Sequence, residues 1–259
     1  MEATRRQILK SVAAGLSLCL ASSRQVANAA GPTPIRMAYA EKYGPLSTLA
    51  ANGSANGLLV DAVNLVGHDC GLEFESAAYA WARAQLLLRQ GDADGFCTVP
   101  TQERRGYALF CAAPFVVIRH GVFHRSDDLR PVQVHSIEDL RQFRQGNYRG
   151  NGYAAQYLEF DRNRLDNDAA SVLRRIAMND LDTFVEAEFP VANRLKEFGL
   201  TEQIRFTPLP FLPLADFCFG LRRSYPDAEA VVQKMEAAIK AAEKSGALSA
   251  LRRRYGLRA

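Results

Sequence analysis

The stretch Gly91-Asp92-Ala93-Asp94-Gly95-Phe96-Cys97-Thr98-Val99-Pro100-Thr101-Gln102-Glu103-Arg104-Arg105, with Phe110 and Pro114-Phe115 after it, decides how this chain is read. Gly91 closes a helical segment, and Phe96 to Val99 reads as a short buried strand. Thr101 to Arg104 then reads as a tight turn that presents one arginine. A guanidinium is planar, permanently charged and forked, so one held at a strand end suits a carboxylate taken in two hydrogen bonds. A site for a small anionic or zwitterionic molecule is the expectation.

Upstream, Ile35-Arg36-Met37-Ala38-Tyr39 alternates as a first strand, and Leu59, Val60, Val63 and Val66 recur at helical spacing until Gly67. Leu72-Glu73-Phe74-Glu75 alternates as a second strand, and Trp81 to Arg89 forms a helix before Gly91. The order strand, helix, strand, helix, strand implies a parallel sheet covered by helices. Downstream, Phe115 to Ile118 and Gly121 to Phe123 make an apolar path that reads as a crossover. Ser136 and Asp139 resemble a capping box, Ala169 to Ala177 a helix, and Thr183 to Val185 a strand. Ile204 to Thr207 is extended, with Pro208, Pro210 and Pro213 suited to an edge or connector. Asp216 to Leu221 is a buried strand. Ser224 is expected to cap a long helix whose apolar face is Val231, Val232, Met235, Ala238, Ile239 and Ala242. Gly246 and a short basic helix follow.

Residues 1–29 read as an export leader and take no part in the fold. Arg5 and Arg6 form a twin-arginine pair in a basic segment, Ser11 to Ser22 is apolar but too short to span a bilayer, and Ala27-Asn28-Ala29 offers a cleavage site. The bulky Leu18 before Cys19 argues against lipoprotein processing, so a soluble periplasmic protein starting at Ala30 is expected. The leader holds Arg5, Arg6, Lys10 and Arg24 against Glu2, a net +3 of the whole chain's +4, which leaves +1 on the remainder. With no basic patch interleaved with aromatics, nucleic-acid binding is excluded.

Cys70, Cys97, Cys111 and Cys218 are far too sparse for a disulfide scaffold. The last three lie in apolar runs and read as buried thiols, with a Cys97–Cys111 or Cys97–Cys218 bridge as the alternative. His120 and His124 lie in a strand-like connector without an acidic partner, so no metal is expected. Gly150-Asn151-Gly152-Tyr153-Ala154-Ala155 fits G-x-G-x-x-A, but no strand precedes it and no nicotinamide or other cofactor is expected.

Taken in order, these segments resemble the bacterial extracellular solute-binding proteins of family 3. Gly57-Leu58-Leu59-Val60-Asp61 stands where that family has Gly-Phe-Asp-x-Asp. Trp81, Leu88, Gly91 and Asp94 match its Trp…Leu-x-x-Gly-x-x-Asp, and Thr101-Gln102-Glu103-Arg104 matches its Thr-x-x-Arg. Leu221-Arg222-Arg223, the long helix, Gly246 and Arg254-Tyr255 complete the likeness, which covers nearly all of the chain after the leader. The resemblance implies a two-lobed α/β periplasmic-binding-protein type II fold, each lobe a mostly parallel sheet flanked by helices, joined by two hinge strands. Lobe 1 would hold residues 30–117 and 215–259, and lobe 2 residues 118–214.

It further implies a monomeric, non-enzymatic receptor that captures a small carboxylate-bearing solute, a polar amino acid or related organic acid, for an ABC permease. Arg104 would grip the carboxylate, with Tyr43, Thr98, Trp81, Gly152, Tyr153 and Glu186 as the other ligand contacts. The chain departs from the family where Cys97-Thr98-Val99 replaces a Ser-x-Ser pair, leaving Thr98 as the one hydroxyl. The amino-group aspartate falls on Ala187, with Glu186 and Glu188 sharing the opposite face of a strand. A carboxylate ligand is therefore better supported than an α-amino acid. Two alternatives share the fold: a cyclohexadienyl-type dehydratase with Glu186 or Glu188 as general acid, or an accessory protein to a periplasmic dehydrogenase.

Overall fold

A computed structural model describes residues 33–158 and 165–257. Arg5, Arg6, Cys19 and Ala29, and with them the leader and its cleavage site, lie outside the described residues. The chain from Pro34 onward forms one compact unit. In chain order its first half contains β1 (Ile35–Ala40), β2 (Lys42–Tyr43), β3 (Ser47–Leu49), β4 (Ala55–Asn56), α1 (Leu58–Asp69), β5 (Phe74–Tyr79), α2 (Trp81–Gln90) and β6 (Gly95–Thr98). There follow α3 (Gln102–Tyr107), β7 (Ala108–Phe110), β8 (Val116–Ile118), β9 (His120–Arg125), α4 (Gly152–Tyr157) and α5 (Ala169–Ala177). The last elements are β10 (Thr183–Ala187), α6 (Glu188–Glu197), β11 (Ile204–Pro208), β12 (Ala215–Arg222), α7 (Ala228–Lys244) and α8 (Ala247–Arg254).

The first sheet runs β5-β1-β6-β12-β7, with β8 also on β12. β1 pairs in parallel with β5 and β6, as the strand–helix alternation predicts. β12 returns from the far end of the chain and pairs antiparallel with β6, β7 and β8. Both faces are covered. Ile35, Met37 and Tyr39 of β1 pack with α1, α7 and α8, while Ala38 faces a second core of Ala84, Leu88 and Phe96. A strand buried on both sides needs the near-continuous apolar run that β1 and β6 supply.

The second sheet, β10-β9-β11, departs from the expected parallel arrangement, because both neighbours of β9 run antiparallel to it. The reason is the crossover: β9 leaves the first sheet heading away from it, whereas β11 leads back through Pro208 into β12. Val122 and Val185 point to one face of this sheet, and Phe123 and Phe184 to the other against α5 and α6. The α/β fold stands, with parallel pairing confined to β1, β5 and β6 among the named strands.

Several helix ends follow the local chemistry read from sequence, and one expected cap does not form. Gly91 ends α2 in the left-handed conformation, and the Asp168 side chain accepts from the Ser171 N–H to cap α5. The expected box before Leu140 is present: Ser136 Oγ accepts from the Asp139 N–H while Asp139 accepts from the Ser136 N–H, here opening a 3₁₀ turn. Ser224, however, does not cap α7. Its hydroxyl accepts from Arg222 Nη1, and Asp227 in the left-handed region precedes the helix instead. All four described cysteines are free thiols, and burial raises the pKa of each.

Two carboxylates tie strands together. Asp94, 4% exposed, accepts from the Arg36 N–H and guanidinium and from Arg222 Nε, so it links β1 and β12 across the start of β6. Asp182 accepts from the Arg144 N–H and guanidinium just before β10. The Arg144 hydrogen bonds hold its carboxyl below the ordinary aspartate value. A depressed folded-state pKa contributes stability that is present above the unfolded value of about 3.9 and is lost as pH falls through the folded value. Asp182→Asn is therefore expected to lower the urea midpoint at pH 7 and to narrow its difference from wild type at pH 3 and below. Equal midpoints at pH 7 would show that the pair contributes nothing.

Candidate functional site

A cavity of ≈ 140 Å³ opens between the two sheets. Its wall includes Tyr43, Trp81, Thr98, Arg104, Tyr153 and Glu186, six of the seven ligand contacts expected from sequence. The seventh, Gly152, lies behind Arg104: a Cβ there would come within 3.1 Å of the guanidinium.

Arg104 is 3% exposed and sits in α3, not in a tight turn. The Thr101 hydroxyl accepts from the Arg104 N–H and starts that helix, which swings the side chain inward while Arg105 remains exposed. Arg104 Nε donates to Gln85 Oε1 at 3.1 Å, Nη1 to the Val99 carbonyl at 2.8 Å and Nη2 to the Gly150 carbonyl at 3.2 Å. The Trp81 ring lies 5.2 Å below the guanidinium carbon. None of these partners is a carboxylate. Burial depresses the pKa of Arg104, and the nearby tyrosines and Glu103 raise it in part. A guanidinium has five N–H groups, so one on Nη1 and one on Nη2 remain unspent, the pair a carboxylate uses.

Glu186, 5% exposed, is the buried acid of the opposite wall. Its Oε1 accepts from Tyr43 Oη at 3.0 Å and from the Ala187 N–H at 2.9 Å. Its Oε2 accepts from Tyr148 Oη at 2.8 Å and from Asn151 Nδ2 at 3.2 Å. Burial raises its pKa, while these hydrogen bonds and the charge of Arg104 pull it back. Burial, and then Glu186 itself, push the Tyr43 and Tyr148 hydroxyls far up, so both stay protonated donors. The expectation that Glu186 and Glu188 share one face does not hold. β10 ends at Ala187 and α6 begins at Glu188, which turns Glu188 outward onto Arg119 at 2.5 Å.

Four further wall residues that shape the site were not assigned to it from sequence. Tyr148 and Asn151 belong to an irregular loop without periodicity, although their place beside Gly150 and Gly152 was the available signal. Asp168 lines the cavity while capping α5 and pairing with Lys42 at 3.2 Å. His120 stacks on Tyr153 at 3.6 Å and bonds through Nδ1 to the Pro213 carbonyl at 2.8 Å, joining the two crossing segments. Burial lowers its pKa to about 4, so the ring is neutral at pH 7. Among the described residues no cluster of three or more His, Cys, Asp or Glu side chains is placed to hold a metal. No helix among them is long and apolar enough to cross a membrane.

The family model of the bacterial extracellular solute-binding proteins, family 3, matches residues 35–258, and the chain belongs to that family. No curated protein sequence matches it. Solved structures share the fold. A histidine kinase sensor domain with similarity to periplasmic binding proteins has a TM-score of 0.71 at 21% identity, covering 86% of this chain and 95% of its own. An ABC uptake transporter substrate-binding protein from Streptococcus pneumoniae, with bound histidine, has a TM-score of 0.69 at 16% identity, covering 86% and 92%. The arginine-, lysine-, histidine-binding protein of Geobacillus stearothermophilus has a TM-score of 0.69 at 15% identity, covering 86% and 95%. These structures define a periplasmic-binding-protein type II fold.

Tyr148 gives a direct measure of what the Glu186 cradle contributes. A hydrogen bond to a buried charge is worth about 1.5–3 kcal/mol, so Tyr148→Phe should lose that much unfolding free energy in a urea titration. A loss below about 0.5 kcal/mol would mean that the hydroxyl is replaceable by water.

Proposed function

We propose that this protein is an exported receptor that captures a small carboxylate-bearing solute between two lobes, residues 30–117 with 215–259 and residues 118–214. One observation carries this reading. Arg104 is buried in the cavity wall, has no carboxylate partner among the described residues, and keeps two N–H groups unspent. A buried guanidinium is expensive without an anion, and a ligand carboxylate supplies one each time the site fills. Trp81, Tyr153 and Tyr43 offer aromatic walls, and Thr98 a hydroxyl, for the rest of the solute. Closure about the segments joined by His120 and Pro213 would bury it.

Family membership supports delivery to an ABC permease as the use of this capture. The likeness to a sensor-kinase domain supports signalling as a second reading of the same capture. Acid catalysis fits the site less well, because Glu186 accepts four hydrogen bonds from the protein and has no position left to meet a substrate.

A bound solute at one hundred times its Kd should add about 2.7 kcal/mol to stability by mass action. For a chain of this size that raises Tm by about 5–10 °C. Arg104→Ala should abolish the shift with circular dichroism unchanged, and Arg104→Lys should retain only part of it because the fork is lost. Undiminished affinity in Arg104→Ala would overturn the carboxylate grip, and turnover of prephenate or arogenate would overturn the receptor reading.

A further inference from the structure

The cavity's charges are unevenly available. Arg104 retains two N–H groups for a ligand, but Glu186 retains nothing. A carboxylate has four lone-pair positions, and Tyr43, Ala187, Tyr148 and Asn151 occupy all four at 2.8–3.2 Å. In an α-amino acid the ammonium sits one carbon from the carboxylate. With that carboxylate on Arg104, the ammonium would share the cavity with Tyr43 and Tyr148, which line it with Arg104 and whose hydroxyls already point at Glu186. It would bring three donors to a place where the buried anion has no lone pair to offer.

The other acids of the wall do not substitute. Asp168 has three of its four acceptor positions filled, by the Ser171 N–H and hydroxyl on Oδ1 and by Lys42 on Oδ2, and Lys42 already balances its charge. Glu41 is half-buried on the turn between β1 and β2 and keeps contact with solvent. His120, with Nδ1 donating to Pro213, can accept at Nε2, but a neutral imidazole does not balance a cation. Burying an ammonium beside an anion that has no acceptor position left for it leaves its N–H groups unpaired, which is unfavourable.

The remaining walls describe the body of the solute. Leu59, Trp81, Tyr153 and Phe217 are apolar or aromatic surfaces. The ≈ 140 Å³ of space is close to the roughly 150 Å³ that accommodates a benzene ring in an apolar protein cavity.

Resting on the receptor reading above, we infer that the solute is a small monocarboxylate with a ring-sized apolar body and no ammonium group beside its carboxylate. Glu186 is then a structural anion that fixes the two tyrosine hydroxyls, not an amino-group ligand.

Matched acids that differ only in the ammonium test this by isothermal titration calorimetry on the purified protein. The pairs are phenylacetate with L-phenylglycine, and 3-phenylpropanoate with L-phenylalanine, run beside L-histidine and L-arginine. The acid without the ammonium should bind at least about tenfold tighter than its partner, and Arg104→Ala should remove that binding. An amino acid that binds as tightly as or tighter than its deaminated partner, or L-histidine or L-arginine binding tighter than both acids, would overturn the inference. If that amino-acid binding were lost in Arg104→Ala, the receptor reading would stand without it. Absence of binding by every compound would overturn both.

Discussion

A full positive charge buried with only neutral groups hydrogen-bonded to it is the constraint around which this molecule is arranged. Arg104 is 3% exposed, and its neighbours are two backbone carbonyls, an amide oxygen and the face of an indole. Neutral dipoles can solvate a guanidinium at tolerable cost only if they are already oriented, because they cannot reorganise as water does. Gln85 is therefore itself buried and donates to the same Gly150 carbonyl that Arg104 uses. Gly152 lacks a side chain where one would press on the guanidinium. Glu186 repeats the scheme with the sign reversed, stabilised by two hydroxyls, an amide and a backbone N–H.

These two ions also join the elements on either side of the cavity. Arg104 and Gln85 belong to helices beside the first sheet and reach Gly150, in the loop leading to α4. Tyr43, from the same side, reaches Glu186 on β10, and Lys42 reaches Asp168. Apart from the exposed Lys42 pair, each of these contacts pairs a charged or amide group with a neutral dipole, the kind of bond that water can replace when the elements part. His120 and Pro213, on the crossing segments, bond to each other.

Much of the fold could be read from local chemistry, and the failures have physical causes. α2 and α5 were legible because their apolar spacing ends at a left-handed glycine or begins at a capping aspartate, both local events. Asp94 and Arg104 stood out together in the sequence, yet they do different work. Asp94 is bound to Arg36 and Arg222 and links strands, while only Arg104 faces the cavity. The antiparallel second sheet was not legible, since strand direction follows from where the crossovers enter, which no single segment encodes. Tyr148 was missed for a related reason: an irregular loop has no period, and its hydroxyl acquires a role only when β10 brings Glu186 to it.

Residue type and spacing alone determined that this chain builds an α/β scaffold and that Arg104 would be its distinctive charge. A glycine-closed helix, a buried strand and a short helix capped by Thr101 are specified by neighbours within a few residues. The tertiary structure alone decided which acid faces Arg104 and whether that acid is available. β10 ends at Ala187, which separates Glu186 from Glu188, and four donors from four separate positions in the chain converge on the one carboxylate that stays inside. Hydrogen-bond saturation depends on distances between segments far apart in sequence, so it appears only once they are packed.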